Sequence, residues 1–140
     1  MNSIKTTTDI IYNNNVSEDI IISHISDIHF NTNTKIKKLE KIKREITKMN
    51  PNYIMITGDT IDIPEITKNK IKIKELIDFL TNLGEVSKVF ISLGNHDIFC
   101  EKDLVFFKKI NDLHNIYVLD NISYLDESIF ITGFTIPNNY

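Results

Sequence analysis

Residues 53–62 read Tyr53-Ile54-Met55-Ile56-Thr57-Gly58-Asp59-Thr60-Ile61-Asp62, an apolar run that leads directly into a glycine and two acidic residues. A short, continuous apolar run of this kind is typical of a strand that is buried on both faces. Gly58 allows the backbone to turn sharply where the strand ends. We therefore expect the side chain of Asp59 to lie at the edge of a sheet.

The same arrangement occurs once before and once after this stretch. A buried strand is predicted at residues 20–25, followed by Asp27 and His29, and another at residues 88–93, followed by Asn95 and His96. Ligands of open parallel sheets bind outside the carboxyl ends of the strands. The polar residues that follow the three strands are therefore expected to converge on one site.

Amphipathic helices are predicted between and after these strands. Residues 35–49, 69–83 and 101–113 carry apolar side chains three or four positions apart. Asn50-Pro51 ends the first helix, and Gly84 is placed to follow the last residue of the second as a cap. Three short strands are predicted at 116–119, 123–125 and 129–132. Strands that alternate with helices predict an α/β fold with a mostly parallel sheet and flanking helices.

The composition is that of one globular domain. Of the 140 residues, 41% are hydrophobic and 25% are charged, and residues 1–18 are interpreted as a weakly structured N-terminal arm or hairpin. The net charge of −3 and the lack of a basic stripe argue against a nucleic-acid surface, but they are compatible with a small phosphodiester site. The single cysteine, Cys100, and the absence of an apolar membrane span or signal-peptide core suggest a cytoplasmic protein.

The polar clusters offer ligands for cations. Carboxylates and imidazoles together suit Mn²⁺, Fe or Zn²⁺, whereas sites made of oxygen alone suit Ca²⁺ or Mg²⁺. Asp59 follows the middle strand, so its two oxygens could bridge two ions. Each cluster taken alone could equally be a turn or a helix cap. Their occurrence together, each after a strand, favours the ligand interpretation.

Three motifs carry a family resemblance: Asp-x-His at 27–29, Gly-Asp-x-x-Asp at 58–62 and Gly-Asn-His-Asp at 94–97. In this order, each after a strand, they resemble the calcineurin-like metallophosphoesterases. The resemblance implies hydrolysis of a phosphoester substrate with two divalent metal ions, Mn²⁺ in first place and Fe or Zn²⁺ as alternatives.

The resemblance also implies a role for each matching residue. Asp27 and His29 would bind the first ion, Asp59 would bridge both ions, and Asn95 would bind the second. The two remaining residues, His96 and Asp62, would have catalytic roles. His96 would act as general acid or charge stabiliser at the leaving group, and Asp62 would orient it.

One part of the family pattern has no counterpart here. The family completes its site with a further histidine and a Gly-His-x-His motif, whereas only His114 follows His96 in this sequence. We therefore interpret residues 1–140 as a single, truncated domain, the N-terminal half of the calcineurin-like sandwich. Without the second sheet of that sandwich, one face of the first sheet is expected to be bare.

Three functional hypotheses follow. The first is a metal-dependent phosphoester hydrolase whose dinuclear site is incomplete in this chain. The second is an inactive fragment or module that needs a complementing C-terminal half or an oligomer. The third is a nuclease of the DNA-repair kind, against which the missing basic surface argues. Among other polar residues, Asp97 is interpreted as supporting the ligands or forming the turn and not as a ligand itself, His24 as a core or edge histidine, and His114 as a residue at a helix end.

Overall fold

The computed structural model describes residues 4–62, 66, 68–98, 101–126 and 129–135. The helices are α1 (Ile36–Met49), α2 (Lys70–Gly84) and α3 (Glu101–Ile110). The strands are β1 (Ile22–Ser26), β2 (Tyr53–Thr57), β3 (Lys88–Ser92), β4 (Ile116–Leu119), β5 (Ser123–Leu125) and β6 (Phe130–Thr132). Strands β1 to β4 form a parallel sheet in chain order, and β5 pairs antiparallel with β6. The predicted fold class, a mostly parallel sheet with flanking helices, is confirmed.

The helices cover one face of the parallel sheet. Alternate residues of a strand point to the same face, and on β2 and β3 those facing the helices are fully buried: Ile54, Ile56, Val89 and Ile91. They belong to one apolar core with side chains from each helix, among them Leu39, Leu80 and Phe107. Burying one such side chain stabilises the fold by about 1.5–3 kcal/mol, so this face supplies most of the core.

The ends of the helices follow local sequence signals, with one exception. The side chain of Asn69 accepts a hydrogen bond from the backbone N–H of Lys72 at the start of α2, and α1 ends at Asn50 in the left-handed conformation. The prediction that Gly84 follows the helix as its cap is wrong, because Gly84 is the last residue of α2. A Cβ there would collide with the carbonyl oxygen of His114, so close packing is what requires glycine.

The third helix is shorter than predicted. It ends at Ile110 instead of residue 113. The side chain of Asn111 turns to accept a hydrogen bond from the backbone N–H of Val118 at 2.7 Å, and the next residues form tight turns. This polar contact competes with a further helical turn.

The second face of the sheet is not bare as expected, because the β5–β6 hairpin covers part of it. Tyr53, Phe90 and Leu119 are buried there. The ring of Tyr124 from the hairpin packs 5.1 Å from that of Phe90 and 4.5 Å from that of Tyr117, measured between centroids. The expectation failed because the short strands at the end of this sequence fold back over the sheet.

Polar contacts help to fix the hairpin. The Nζ of Lys88 lies 2.6 Å from a carboxylate oxygen of Asp126, and the hydroxyl of Tyr53 donates a hydrogen bond to the same carboxylate at 3.1 Å. Both Lys88 and Tyr53 belong to the parallel sheet. The hairpin is therefore attached to the sheet by charge as well as by aromatic packing.

Strand β1 is less buried than predicted. It lies at the edge of the sheet, beyond the hairpin, and Ile22 is 45% exposed while His24 is also exposed. The apolar run at 20–25 correctly indicated a strand. The prediction that this strand is buried on both faces is wrong, because nothing in the described chain covers the face that carries Ile22 and His24. Residues 4–19, which precede it, form no helix or strand. None of the described helices combines the length and apolar character needed to cross a membrane.

Candidate metal centre

The three polar loops meet at the carboxyl-terminal edge of the parallel sheet. Backbone hydrogen bonds continue the sheet pairing beyond the strand ends. The N–H of Asp27 donates to the carbonyl of Gly58 at 3.3 Å, and the N–H of His29 donates to that of Asp59 at 2.9 Å. The N–H of Gly58 in turn donates to the carbonyl of Ser92 at 3.0 Å. The loops after β1, β2 and β3 are therefore tied together through their main chains.

The first two loops use a left-handed backbone conformation. Asp27, His29 and Asp59 have φ values of 53°, 46° and 48°. Few non-glycine residues adopt this region, although Asp and His are among those enriched there. Such conformations cost on the order of 1 kcal/mol or more and cluster at functional sites. The sheet ladder and the loop contacts hold these three residues in place.

The third loop approaches the second so closely that only glycine fits. A Cβ on Gly94 would collide with the backbone nitrogen and a carboxylate oxygen of Asp59. The same carboxylate oxygen, Oδ1, accepts a hydrogen bond from the backbone N–H of His96 at 3.1 Å. Asp59 is thus fixed between its own loop and the loop that follows β3.

The buried side chain of Asp97 joins the loops that follow β2 and β3. Its fully buried carboxylate accepts hydrogen bonds from the backbone N–H groups of Ile61, Gly94 and Thr60 at 2.9, 3.0 and 3.2 Å. Burial raises the pKa of Asp97, and the three N–H groups oppose that shift. These contacts agree with the interpretation of Asp97 as a turn-forming residue.

Several possible ligand atoms lie close together above this framework. One donor atom each of His29, Asp59 and His96 lies within 4.8 Å of the other two. The Nε2 of His29 is 3.8 Å from Oδ2 of Asp59 and 3.8 Å from Oδ1 of Asp27. The Asp27 side chain is 64% exposed and that of Asp59 is 16% exposed, so the cluster opens to solvent. Carboxylates around an imidazole fit the ligand chemistry of Mn²⁺, Fe or Zn²⁺.

Asp62 contacts both imidazoles of the cluster. Its main-chain carbonyl lies 2.7 Å from Nδ1 of His96, so this nitrogen carries the proton and donates it. That hydrogen bond is the main cause that raises the pKa of His96; burial opposes it, and the nearby carboxylates add to it. The Oδ1 of Asp62 lies 3.4 Å from Nδ1 of His29 and 3.6 Å from Nδ1 of His96.

The calcineurin-like phosphoesterase family model matches residues 20–139 of this sequence. The chain belongs to that family. UDP-2,3-diacylglucosamine pyrophosphatase LpxG of Chlamydia muridarum is 36% identical over 77 residues, which are 54% of this chain and 22% of that protein. The protein of the same name from Chlamydia trachomatis is 35% identical over 77 residues, with the same coverage of both chains.

A third relative is an uncharacterized metallophosphoesterase of Campylobacter jejuni. It is 33% identical over 86 residues, which are 61% of this chain and 21% of the relative. The chain therefore spans about a fifth of the length of the curated relatives that it matches.

The structure brings together most of the residues singled out from the sequence. Five of the six share contacts at one edge of the sheet, namely Asp27, His29, Asp59, Asp62 and His96. Asn95 lies in the same turn as His96 with an exposed side chain, and no hydrogen bond or ion pair of the described residues includes that side chain. The geometry also groups His96 with the ligand donors, a placement that the family resemblance did not imply.

The two other histidines of the chain lie away from the cluster. The Nε2 of His24 makes a 2.6 Å hydrogen bond with the hydroxyl of Thr57, and His24 is exposed on the edge strand. His114 comes just before β4, which is the outermost strand on the side of the sheet away from β1, and its carbonyl packs against Gly84. The edge placement predicted for His24 is confirmed, whereas the prediction of a helix end at His114 is wrong, because α3 ends at Ile110 and His114 lies in the exposed turn that follows.

One residue of the site, Asn31, was not identified from the sequence. The side-chain amide of Asn31 donates a hydrogen bond to Oδ2 of Asp62 at 2.9 Å. The available signal was local, because an asparagine three residues before Thr34 is typical of a turn held by its own side chain. That signal predicts the turn but not the contact with Asp62, which lies 31 residues later in the chain.

Proposed function

We propose that this chain forms the cation-binding edge of a phosphoester hydrolase that uses two divalent metal ions. One observation carries the proposal: ligand atoms of His29, Asp59 and His96, which follow three different strands, lie within 4.8 Å of one another. Bringing carboxylates together costs Coulomb energy that bound cations would offset.

The proposed ligands follow from where each side chain lies. Asp27 and His29 bind the first ion, supported by the 3.8 Å separation of their donor atoms. Asp59 would help to hold both ions, since one of its oxygens faces His29 and the other faces the turn of Asn95 and His96. Asn95 binds the second ion from that turn. Mn²⁺ is the proposed metal, with Fe or Zn²⁺ as alternatives.

The proposed chemistry divides the work between ions and side chains. Bound ions would supply a water of lowered pKa and polarise the phosphoryl oxygens. The ring of His96 is oriented by its Nδ1–H hydrogen bond to Asp62, so that in the protonated ring the Nε2–H group would donate its proton to the leaving-group oxygen. Asp62 also faces His29, so it orients both imidazoles in this proposal.

Further ligands are proposed to come from outside these 140 residues. His24 and His114 lie away from the cluster, so they add no imidazole to the proposed ions. A continuation of the chain, a complementing chain or an oligomer could supply the missing ligands. A module that is inactive without such a partner is the second candidate function. A cytoplasmic location stays a prediction.

The substrate is proposed to contain a phosphoester or pyrophosphate bond. Two relatives are named as UDP-2,3-diacylglucosamine pyrophosphatases, which makes that glycolipid nucleotide a substrate to test. A panel with p-nitrophenyl phosphate, its bis-ester, UDP-2,3-diacylglucosamine and single-stranded DNA separates monoesterase, diesterase, pyrophosphatase and nuclease activities.

The decisive experiment compares wild type with Asp59→Asn for Mn²⁺ binding and Mn²⁺-dependent hydrolysis of this panel. Asp59→Asn should weaken both by more than ~100-fold, because it removes the charge of the proposed bridging ligand. Asp78→Asn is the matched control, since Asp78 is exposed and pairs only with Lys74 on its own helix in the described contacts. Binding without hydrolysis would favour the inactive module. Wild type that neither binds Mn²⁺ nor hydrolyses any substrate would overturn the proposal.

A further inference from the structure

Asn31 occupies a place in the site that the family motifs do not assign. It lies two residues after His29, in the loop that follows β1, and its amide reaches across to the loop that follows β2. There its Nδ2 donates to Oδ2 of Asp62 at 2.9 Å, in a partly buried contact. This contact determines where the Asp62 carboxylate points.

The orientation of the Asn31 amide follows from its other contacts. Its Oδ1 accepts a hydrogen bond from the backbone N–H of Asn33 at 2.9 Å and a weaker one from the hydroxyl of Thr34 at 3.3 Å. The backbone N–H of Asn31 donates to the same hydroxyl at 3.0 Å. Because the backbone N–H of Asn33 needs an acceptor, the oxygen must face the turn and the NH₂ group must face Asp62.

The turn that carries Asn31 is anchored to α2. Thr34 is buried, and its carbonyl accepts a hydrogen bond from Nζ of Lys72 at 2.7 Å. Lys72 also pairs with Glu75 at 2.8 Å and lies 5.8 Å from the ring centroid of Phe30. With three partners around it, the ammonium group of Lys72 is well fixed, and so is the turn that it holds.

With Oδ2 of Asp62 occupied by Asn31, the other oxygen faces the imidazoles. Oδ1 lies 3.4 Å from Nδ1 of His29. An ionised carboxylate can only accept, so a proton on this Nδ1 is favoured and Nε2 keeps its lone pair. That Nε2 is the nitrogen that lies 3.8 Å from the carboxylates of Asp27 and Asp59. Metal-binding histidines commonly have a carboxylate or carbonyl near their second ring nitrogen, which fixes the tautomer.

We propose that Asn31 is a positioning residue: it holds Asp62 so that His29 keeps its proton on Nδ1 and presents Nε2 to a cation. The importance of this arrangement for metal binding rests on the proposed function. The tautomer of His29 itself does not, because it can be measured in the metal-free chain.

The test uses the full chain and three variants. Asn31→Ser keeps a short acceptor for the turn but cannot reach Asp62, and Asn31→Asp keeps the shape but replaces the donor by a second carboxylate. Asn33→Ala is the matched control in the same turn, since the described contacts of Asn33 use only its backbone. Amide ¹H–¹⁵N spectra report whether each variant is folded. Two variants of different chemistry keep the test valid if one of them does not fold.

The first readout is the tautomer of His29, from long-range ¹H–¹⁵N correlations of the imidazoles without metal, well above the ordinary pKa of histidine. Wild type and Asn33→Ala should show the Nδ1–H form. Asn31→Ser and Asn31→Asp should shift His29 towards the Nε2–H form that free histidine prefers. The second readout is Mn²⁺ affinity, which should fall about tenfold in both Asn31 variants.

The outcomes separate this inference from the proposed function. A tautomer shift in the Asn31 variants with no Mn²⁺ binding by any chain would support the role of Asn31 and overturn the metal site. Folded Asn31 variants that keep the Nδ1–H form would overturn the role of Asn31, whatever their metal affinity. So would a wild type in which His29 carries its proton on Nε2.

Discussion

Two regions of this molecule are held together by different physical means. At the carboxyl-terminal edge of the sheet, directional hydrogen bonds join the loops, and the buried carboxylate of Asp97 accepts three backbone N–H groups. Under the β5–β6 hairpin, the contacts are mainly between aromatic rings, 4.5–6.1 Å apart and at varied angles.

The difference suggests which region can tolerate change. Hydrogen bonds and close backbone contacts fix atoms to within a few tenths of an ångström, as a site that holds cations requires. Apolar packing is largely non-directional and tolerates rearrangement at modest cost. We therefore expect changes at the sheet edge to affect both stability and metal binding, and changes under the hairpin to affect stability alone.

The largest effect is expected from Gly94→Ala. The added Cβ would collide with the backbone nitrogen of Asp59 and with its carboxylate, so the two loops must separate. We expect the free energy of unfolding in urea to fall by about 3 kcal/mol, at the upper end for overpacking, and Mn²⁺ affinity to be lost. Ser92→Ala, in the preceding strand, is the control and should change stability by less than about 0.5 kcal/mol. Tight Mn²⁺ binding by Gly94→Ala would contradict the close contact.

A somewhat smaller effect is expected from Asp97→Asn. Two of the three N–H groups, from Thr60 and Gly94, bind Oδ2, and that of Ile61 binds Oδ1. An asparagine amide can place its oxygen at only one of these positions, so at least one buried N–H group loses its partner. We expect the free energy of unfolding to fall by about 1–3 kcal/mol, with weaker Mn²⁺ binding.

Asp97→Ala tests the same role of the buried carboxylate, and Asp120→Ala, at an exposed position, is its control. The alanine at 97 removes all three acceptor contacts and should cost more than the asparagine, about 3 kcal/mol. The alanine at 120 should cost less than about 0.5 kcal/mol. Equal stability of Asp97→Asn and wild type, measured by urea denaturation, would show that the carboxylate does not tie the loops together.

Much of the fold could be predicted from the sequence because its signals are local. Apolar residues at helical spacing placed α1 and α2 within a residue of their observed ends, and the runs at 53–57 and 88–93 placed the central strands, the second with one residue too many. The exceptions depend on distant contacts. Gly84 is required by the carbonyl of His114, thirty residues later, and no local pattern contains that information.

The candidate site also has features that local sequence signals predict and features that depend on distant contacts. Strand ends followed by acidic residues, histidine and asparagine indicated which loops would meet, and the structure brings those loops together. The sequence did not indicate that Asp62 lies between two imidazoles or that Asn31 binds its second oxygen. These contacts depend on side-chain directions set by left-handed residues at 27, 29 and 59, which residue spacing does not reveal.

The smallest effect in this series is expected from Tyr124→Ala under the hairpin. The ring of Tyr124 is partly buried against Phe90 and Tyr117, so its removal should lower the free energy of unfolding by about 1–2 kcal/mol. Mn²⁺ affinity should not change, because the described contacts of this ring lie on the face of the sheet and not at its loop edge. Leu125→Ala, next in sequence and 75% exposed, should behave like wild type in both measurements. If Tyr124→Ala weakened Mn²⁺ binding as much as Asp97→Asn does, the hairpin would be positioning the loops through the sheet. The two regions would then form one cooperative unit, despite the difference in their contacts.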